Sequence, residues 1–241
     1  MTSGAGKIVL YIDTASNTLM VGMSAEGVML FKHRESSASH RYHSAMLIPV
    51  IEKGLKRLGV SVQDLNSVCV NVGPGSFTGI RTGIASVRTL AQFVPNLGGQ
   101  VYGFNTFELL SGSALSQTPA HQPAFAVYLD ALRDRAYHAM VGFDSTGPFY
   151  VKEPALVGLA DRKLEKVPMI VSESLAGLPL FAESGNMQTP NLQTIESLDV
   201  FTPEVMQRLL AAYGEHFKKP WPELGPLYLQ EPSITLSKRS G

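Results

Sequence analysis

SVCVNVGPGSFTGIRTGIASVRTLAQ, residues 67–92, is the stretch on which the fold turns. Val68 to Val72 is a short apolar run rich in β-branched residues, the pattern of a buried strand. Gly73, Pro74 and Gly75 break it. Ser76 and Thr78 then offer helix-capping hydroxyls, and an amphipathic run begins at about Gly79. Strand, glycine-rich turn and helix together aim backbone N–H groups and the positive end of a helix dipole at one spot. Gly73, Gly75 and Ser76 are therefore candidate contacts for an anion or for a partner's polar group. An equal alternative is that the glycines only build a tight turn with positive φ.

Two familiar phosphate motifs are excluded by inspection. A P-loop ends in Gly-Lys-Ser/Thr, and no lysine occurs between Lys56 and Lys152. A dinucleotide fingerprint needs a third glycine where Thr78 stands. In the helix after the turn, Ile80, Ile84, Val87 and Ala91 form one apolar stripe. Gly79 and Gly83 lie four apart, and an interior glycine costs roughly 1 kcal/mol relative to alanine. Close approach of another element usually offsets that cost. Arg81 and Arg88 share a face open to solvent or a partner, a solvated basic edge being the plainer reading of either one alone.

Composition narrows the function classes. The 241 residues carry twenty basic and twenty acidic side chains, a formal net charge of zero. A protein that grips nucleic acid by itself is usually basic, so any part in RNA chemistry depends on another protein's surface. The single cysteine, Cys69, lies in the expected buried strand, which excludes a disulfide framework or a cysteine metal site. Met1 to Lys7 is short and polar, and no apolar run is long enough to span a membrane. The expectation is a soluble, cytoplasmic protein in a reducing compartment.

Outward from the decisive stretch, Lys7–Asp13 is an apolar run ending in an acid, suited to a central strand. Asn17–Ser24 and Val28–Glu35 complete a meander. His40–Leu58 is a helix with two apolar stripes, so it is buried on two sides or awaits a partner. Pro49 falls inside it and is expected to kink it. His40 and His43 lack a third metal ligand at a usual spacing and suit capping or interface hydrogen bonds better. Gln100–Phe104 is a strand and Thr106–Leu115 a short helix. A linker over Ser116–Gln122 then leads into a second lobe. Ala124–Asp130 is again a buried run ending in an acid, followed by strands over Ala136–Phe143 and Phe149–Glu153. Met169–Ser172 reads as a strand, Leu175–Phe181 as a short helix and Glu183–Gln193 as loop. Thr202-Pro203 opens a well-marked helix that Lys218 and Lys219 close. Two meander lobes with an acid ending each first strand suggest the α/β actin-like ATPase and sugar-kinase (ASKHA) fold. The lobes are placed at 1–105 and 106–241, with helix 203–217 returning to the first.

Five segments sharpen this. YIDTAS (11–16), His43 six residues before Pro49, GPGSFTGIRTGIA (73–85), Asp130-Ala131 with Tyr137, and PLYL (226–229) together resemble the TsaB family, also called YeaZ. The likeness is dense from Ile8 to about Leu110 and sparse beyond. It implies a non-catalytic subunit that supports a TsaD-like catalytic subunit. With a TsaE-like ATPase these transfer threonylcarbamoyl to the adenosine beside the anticodon of tRNAs reading A-starting codons, the t6A modification. It implies a homodimer when the chain is alone, tRNA contact only through the complex, and no membrane. The second lobe is too short for the Gly-Gly adenosine segment of full kinases. The cleft implied by Asp13, Thr14, Ser16, Gly73, Gly75, Ser76 and Asp130 is thus a reduced one, with ATP or ADP held weakly and only beside the partner.

No cofactor and no metal are expected. Related catalytic subunits carry an Asn-His-Met-Glu-Gly-His-like motif where this chain reads Asn105-Thr106-Phe107-Glu108-Leu109-Leu110, and Thr106 and Leu110 take the histidine positions. The same lack disfavours a metalloprotease. A stand-alone small-molecule kinase or ATPase of this fold is the alternative, and it would need a full adenosine pocket. Leu132 and Arg135 depart from the family's Arg and Glu in the second-lobe hairpin. The expected partner interface is carried by Tyr42, His43, Met46 and Val50 of the first helix. Gly79, Arg81, Gly83, Ile84, Val87 and Arg88 of the second complete it.

Overall fold

Residue alternation along β1 (Ile8–Asp13) sets the layers of the first lobe. Ile8, Leu10 and Ile12 point to one face, and Tyr11 points to the other. A computed structural model describes residues 7–36, 42–97, 99–115, 124–160, 167–176, 178, 192–194 and 203–230. β1 pairs antiparallel with β2 (Thr18–Ala25) and parallel with β4 (Leu65–Asn71). With β3 (Val28–Ser36) and β5 (Val101–Phe104) they form a sheet of order β3-β2-β1-β4-β5. Helices α1 (Tyr42–Leu58) and α2 (Phe77–Phe93) cover the Leu10 face through Leu47, Ile51, Ile80 and Val87.

The Tyr11 face is closed by a helix from the far end of the chain. Val205, Met206, Leu209 and Phe217 of α5 (Pro203–Phe217) pack on Tyr11, Met20, Tyr102 and Phe104. The rings of Phe217 and Phe104 stack at 4.1 Å. Its amino-terminal end needs Gly22, because a Cβ there would lie 2.3 Å from Cβ of Pro203. Lys32 and Glu204 form an ion pair at 2.6 Å over the same edge.

The second sheet has the order β10-β9-β6-β7-β8, formed by β6 (Phe125–Asp130), β7 (Arg135–Asp144), β8 (Gly147–Gly158), β9 (Met169–Val171) and β10 (Leu192–Thr194). Followed from β8, this is the strand order of the first sheet over again, with β6 in the place of β1 and β9 in the place of β4. Phe107, Leu110 and Ala114 of α3 (Thr106–Leu115) cover one face, and Leu175 of α4 (Glu173–Ala176) packs on the other.

Several local expectations change. α1 runs through Pro49 without a break. Pro49 and Ala45 are both exposed, so water can take the carbonyl that the missing N–H leaves unpaired. Ser76 is the N-cap of α2, its Oγ accepting from Gly79 N at 3.2 Å, while Thr78 lies inside the helix. Leu192 and Gln193, expected in the loop Glu183–Gln193, belong to a strand, Leu192–Thr194, parallel to β9. Three residues carry too little periodicity to show it. β8 extends well past Glu153 to Gly158. The expected linker at 116–122, His40, and the end of the helix expected at Phe181 lie outside the described residues.

Candidate functional site

The carboxyl ends of β1, β4 and β5 meet in one buried polar network. Asp13 is 1 % exposed. Its Oδ1 accepts from Ala15 N at 2.8 Å and its Oδ2 from Asn71 Nδ2 at 2.9 Å. Asn71 Oδ1 in turn accepts from Gly73 N at 2.9 Å and from Thr106 Oγ1 at 3.2 Å, and Thr106 Oγ1 also donates to the Pro74 carbonyl at 2.7 Å. Burial pushes the Asp13 carboxyl up to about 6, against the lowering effect of its two hydrogen bonds.

The glycine turn is zipped onto the loop after β1. Ser76 N donates to Ala15 O at 2.6 Å, and a Cβ on Gly75 would fall 2.0 Å from that same oxygen. Thr14 is fully buried and donates to the Gly79 carbonyl at 2.8 Å. A Cβ on Gly79 would sit 1.9 Å from Thr14 O, and one on Gly83 2.6 Å from Thr14 Oγ1. Both glycines therefore let α2 lie directly on the β1–β2 loop of its own chain.

Above this network a cleft of about 820 Å³ opens between the two sheets. Ser16, Gly75 and Ser76 form one side with Asn17, Thr18, Arg34 and Ser36, and Asp130, Tyr137 and Ser172 stand across from them. Asp130 is half-buried; its N–H donates to Ser172 Oγ at 3.0 Å and its Oδ1 accepts from Leu132 N at 2.7 Å. A second groove of about 440 Å³ adjoins the cleft and shares Pro74, Gly75, Leu132 and Tyr137 with it.

These placements divide the expected residues. Ser16, Gly75, Ser76 and Asp130 do reach the cleft. Asp13, Thr14 and Gly73 lie buried beneath it, spent on internal contacts. Of the expected interface residues, His43, Val50, Gly79, Gly83, Ile84 and Val87 face the core. The helical stripe that carries them is the sheet-facing one, which is why their spacing is so regular. Burial holds His43 below the usual histidine range. Tyr42 and Met46 are half-buried at the edge of that core. Arg81 is exposed, its guanidinium carbon 5.2 Å from the Phe77 ring centroid. Arg88 is tied to the Pro222 carbonyl at 2.7 Å.

The exposed residues of the helix pair include the small or apolar Ala45 and Ile48 on α1 and Ala85 on α2, with Ile48 47 % exposed. Sequence reasoning also missed the cleft residues Arg34, Ser36 and Ser172. The internal repeat is the signal that would have found Ser172, since it follows β9 as Val72 follows β4. Thr106 is a donor in the network, and Leu110 is a fully buried core residue. Among the described residues no cluster of His, Cys, Asp or Glu is arranged to hold a metal ion, and no helix is long and apolar enough to cross a membrane.

Two sheets of one strand order, facing each other across a cleft with an acid ending each first strand, define the two-lobed actin-like ATPase and sugar-kinase fold. The solved structure of YeaZ from Pseudomonas aeruginosa superposes with a TM-score of 0.71 at 19 % identity, covering 92 % of this chain and all of that one. The family model described as TsaD, tRNA N6-adenosine threonylcarbamoyltransferase, matches residues 36–154. The tRNA threonylcarbamoyladenosine biosynthesis protein TsaB of Escherichia coli is 28 % identical over 151 residues, 62 % of this chain and 61 % of that protein. An uncharacterized Mycobacterium tuberculosis protein is 30 % identical over 142 residues, 58 % of this chain and 63 % of its own. In sequence the chain is thus similar to TsaB proteins, and in fold to YeaZ. Its matches span about three-fifths of the length of these curated relatives.

Proposed function

We propose that the chain is the non-catalytic subunit of an assembly that places threonylcarbamoyl on the adenosine beside the anticodon of tRNAs reading A-starting codons. In this reading it docks a TsaD-like catalytic subunit, works with a TsaE-like ATPase, and pairs with a second copy of itself when alone. tRNA is met through the assembly. Nucleotide binds only weakly, and only beside the partner.

The observation that carries the reading is the outer face of α1 and α2. Ala45, Ile48 and Ala85 leave small and apolar surface uncovered there, with Tyr42 and Met46 at its edge. A face of that kind suits helices packing against helices, and a symmetric pair by the same patch is the common form of a dimer. The sealed Asp13 supports the non-catalytic part, because a kinase of this fold would need that acid open to a phosphate and its metal. The cleft that remains is bordered by side chains that already take hydrogen bonds from nearby backbone, Ser16 Oγ from Thr18 N and Asp130 Oδ1 from Leu132 N.

The test is association with the TsaD-like subunit of the same organism, measured by sedimentation and by reconstituted tRNA modification. Ile48→Asp and Ala85→Glu each abolish association and modification while the melting temperature holds. Wild-type affinity in both variants would refute this placement of the interface. Modification that proceeds without the chain would refute the function.

A further inference from the structure

We propose that the groove between the β6–β7 hairpin and the carboxyl-terminal strap docks a short acidic peptide of a protein partner, anchored by an apolar side chain. The strap is the 227–230 segment, fixed to the first lobe by Leu227 N donating to Val72 O at 2.8 Å. Two large apolar side chains of its lining reach solvent: Leu132 is 71 % exposed, and Tyr228, stacked on Phe77, is 40 % exposed. Ile80, Leu227 and Leu229 line the groove with them, so much of its wall is apolar.

The hairpin rim is built to hold its shape. Leu132, Arg133 and Asp134 have φ of 64°, 56° and 56°, three non-glycine residues in succession in the left-handed region. Asp130 Oδ1 takes Leu132 N, Ala131 N donates to Arg135 O at 3.0 Å, and Leu159 N donates to Asp134 O at 3.0 Å. Those bonds fix a conformation the residues themselves disfavour, and its result is to present Leu132 outward. Rigid rims lose little freedom on binding.

Charge selects the occupant. Arg81 sets its guanidinium over Phe77, which lines the groove, and Arg133 adjoins Leu132 in sequence. Both are exposed, and among the described residues neither forms an ion pair with a carboxylate. Of the acids at the hairpin, Asp130 is turned back to the Leu132 amide, leaving Asp134 as the opposing charge. An acidic segment carrying one Leu or Phe satisfies both guanidinium groups and fills the groove. Single-stranded RNA fits less well. Stacking needs an open aromatic face, and the Phe77 ring is engaged by Tyr228 at 4.9 Å and by Arg81.

The full chain, isotopically labelled for NMR, is titrated with a capped decapeptide holding a central Leu-Phe pair between glutamates. A version with lysines for glutamates and a short oligouridine are the comparisons. Saturable shifts at the amides of Phe77, Arg81, Leu132 and Tyr228 are expected with the acidic peptide. Arg81→Glu and Leu132→Asp each weaken binding about tenfold with the melting temperature unchanged. Ile48→Asp leaves peptide binding intact, so the result is independent of the helix-face reading. Absence of saturable shifts, equal binding of the lysine peptide, or shifts centred elsewhere would overturn the proposal. Tighter binding of oligouridine at the same residues would overturn it in favour of a nucleic-acid surface.

Discussion

The Asp13 carboxylate and the Asn71 side-chain amide meet at 2.9 Å across the ends of β1 and β4, sealed from solvent. The pairing joins the two loops that close the floor of the cleft, and it ties their stability to pH. Folding raises the Asp13 carboxyl from 3.8 to about 6, so the folded chain holds this proton more tightly than the unfolded one. The contribution is fully present below the unfolded value and lost as pH rises through 6. It amounts to about 3 kcal/mol. Urea midpoints of the wild type should therefore rise from pH 7 to pH 5, and those of Asp13→Asn should lack that rise. Parallel profiles for the two proteins would show that Asp13 does not titrate in this range.

Gly79 and Gly83 are expected to be intolerant for reasons internal to the chain. Gly79→Ala sets a methyl against the Thr14 carbonyl, a backbone atom that cannot swing aside. Loss of about 1–3 kcal/mol is expected, and Gly83→Arg should prevent folding altogether. Ala85→Glu, two residues past Gly83 on the outer side, should stay within about 0.5 kcal/mol of wild type. Chemical denaturation of the three variants checks this, and a stable Gly83→Arg protein would place α2 wrongly.

Tyr150 bridges two elements by its hydroxyl. It takes a hydrogen bond from Asn105 Nδ2 and donates to Glu108 Oε1 at 3.5 Å, while His216 Nε2 of α5 lies 3.7 Å from the same carboxylate. Tyr150→Phe leaves the buried Glu108 and the Asn105 amide short of a partner, and a loss of about 1–3 kcal/mol is expected. Tyr228→Phe, at an exposed hydroxyl, should change stability by no more than about 0.5 kcal/mol. Equal thermal shifts in the two variants would argue against the bridge.

Much of the architecture was legible because strands and helices of the first lobe carry their own periods. The runs Lys7–Asp13 and Val68–Val72 and the α2 stripe need no distant information, although the second strand begins earlier, at Leu65. The site was legible only in part. Gly79 and Gly83 were correctly read as marking a close approach, but sequence does not say whether the approaching backbone belongs to the same chain. Here it is Thr14, 65 residues upstream of Gly79. Asp13 and Asp130 end equivalent strands and look alike in sequence. Their fates separate because Asn71 covers the first, while Ser172 leaves the second open to the cleft. Ser172 and β10 were missed because short elements in the second lobe owe their form to neighbours, not to local pattern.

Phe217→Ala should cost about 3–5 kcal/mol by removing the ring that stacks on Phe104. Unfolding should remain a single transition by fluorescence and by circular dichroism, because α5 also touches the second sheet through Tyr213 and Phe143. Two separated transitions would show that the lobes melt independently.

Helix α5, which lies over β1, β2 and β5, also sets a timetable for synthesis. Lys32 must wait for Glu204, 172 positions later, before the Tyr11 face of the first sheet has its cover. On the ribosome, Tyr11, Met20, Tyr102 and Phe104 are therefore made early and stay wet until residues 203–217 have emerged. A growing chain in that state exposes one greasy sheet face for most of its translation, a natural target for holding chaperones.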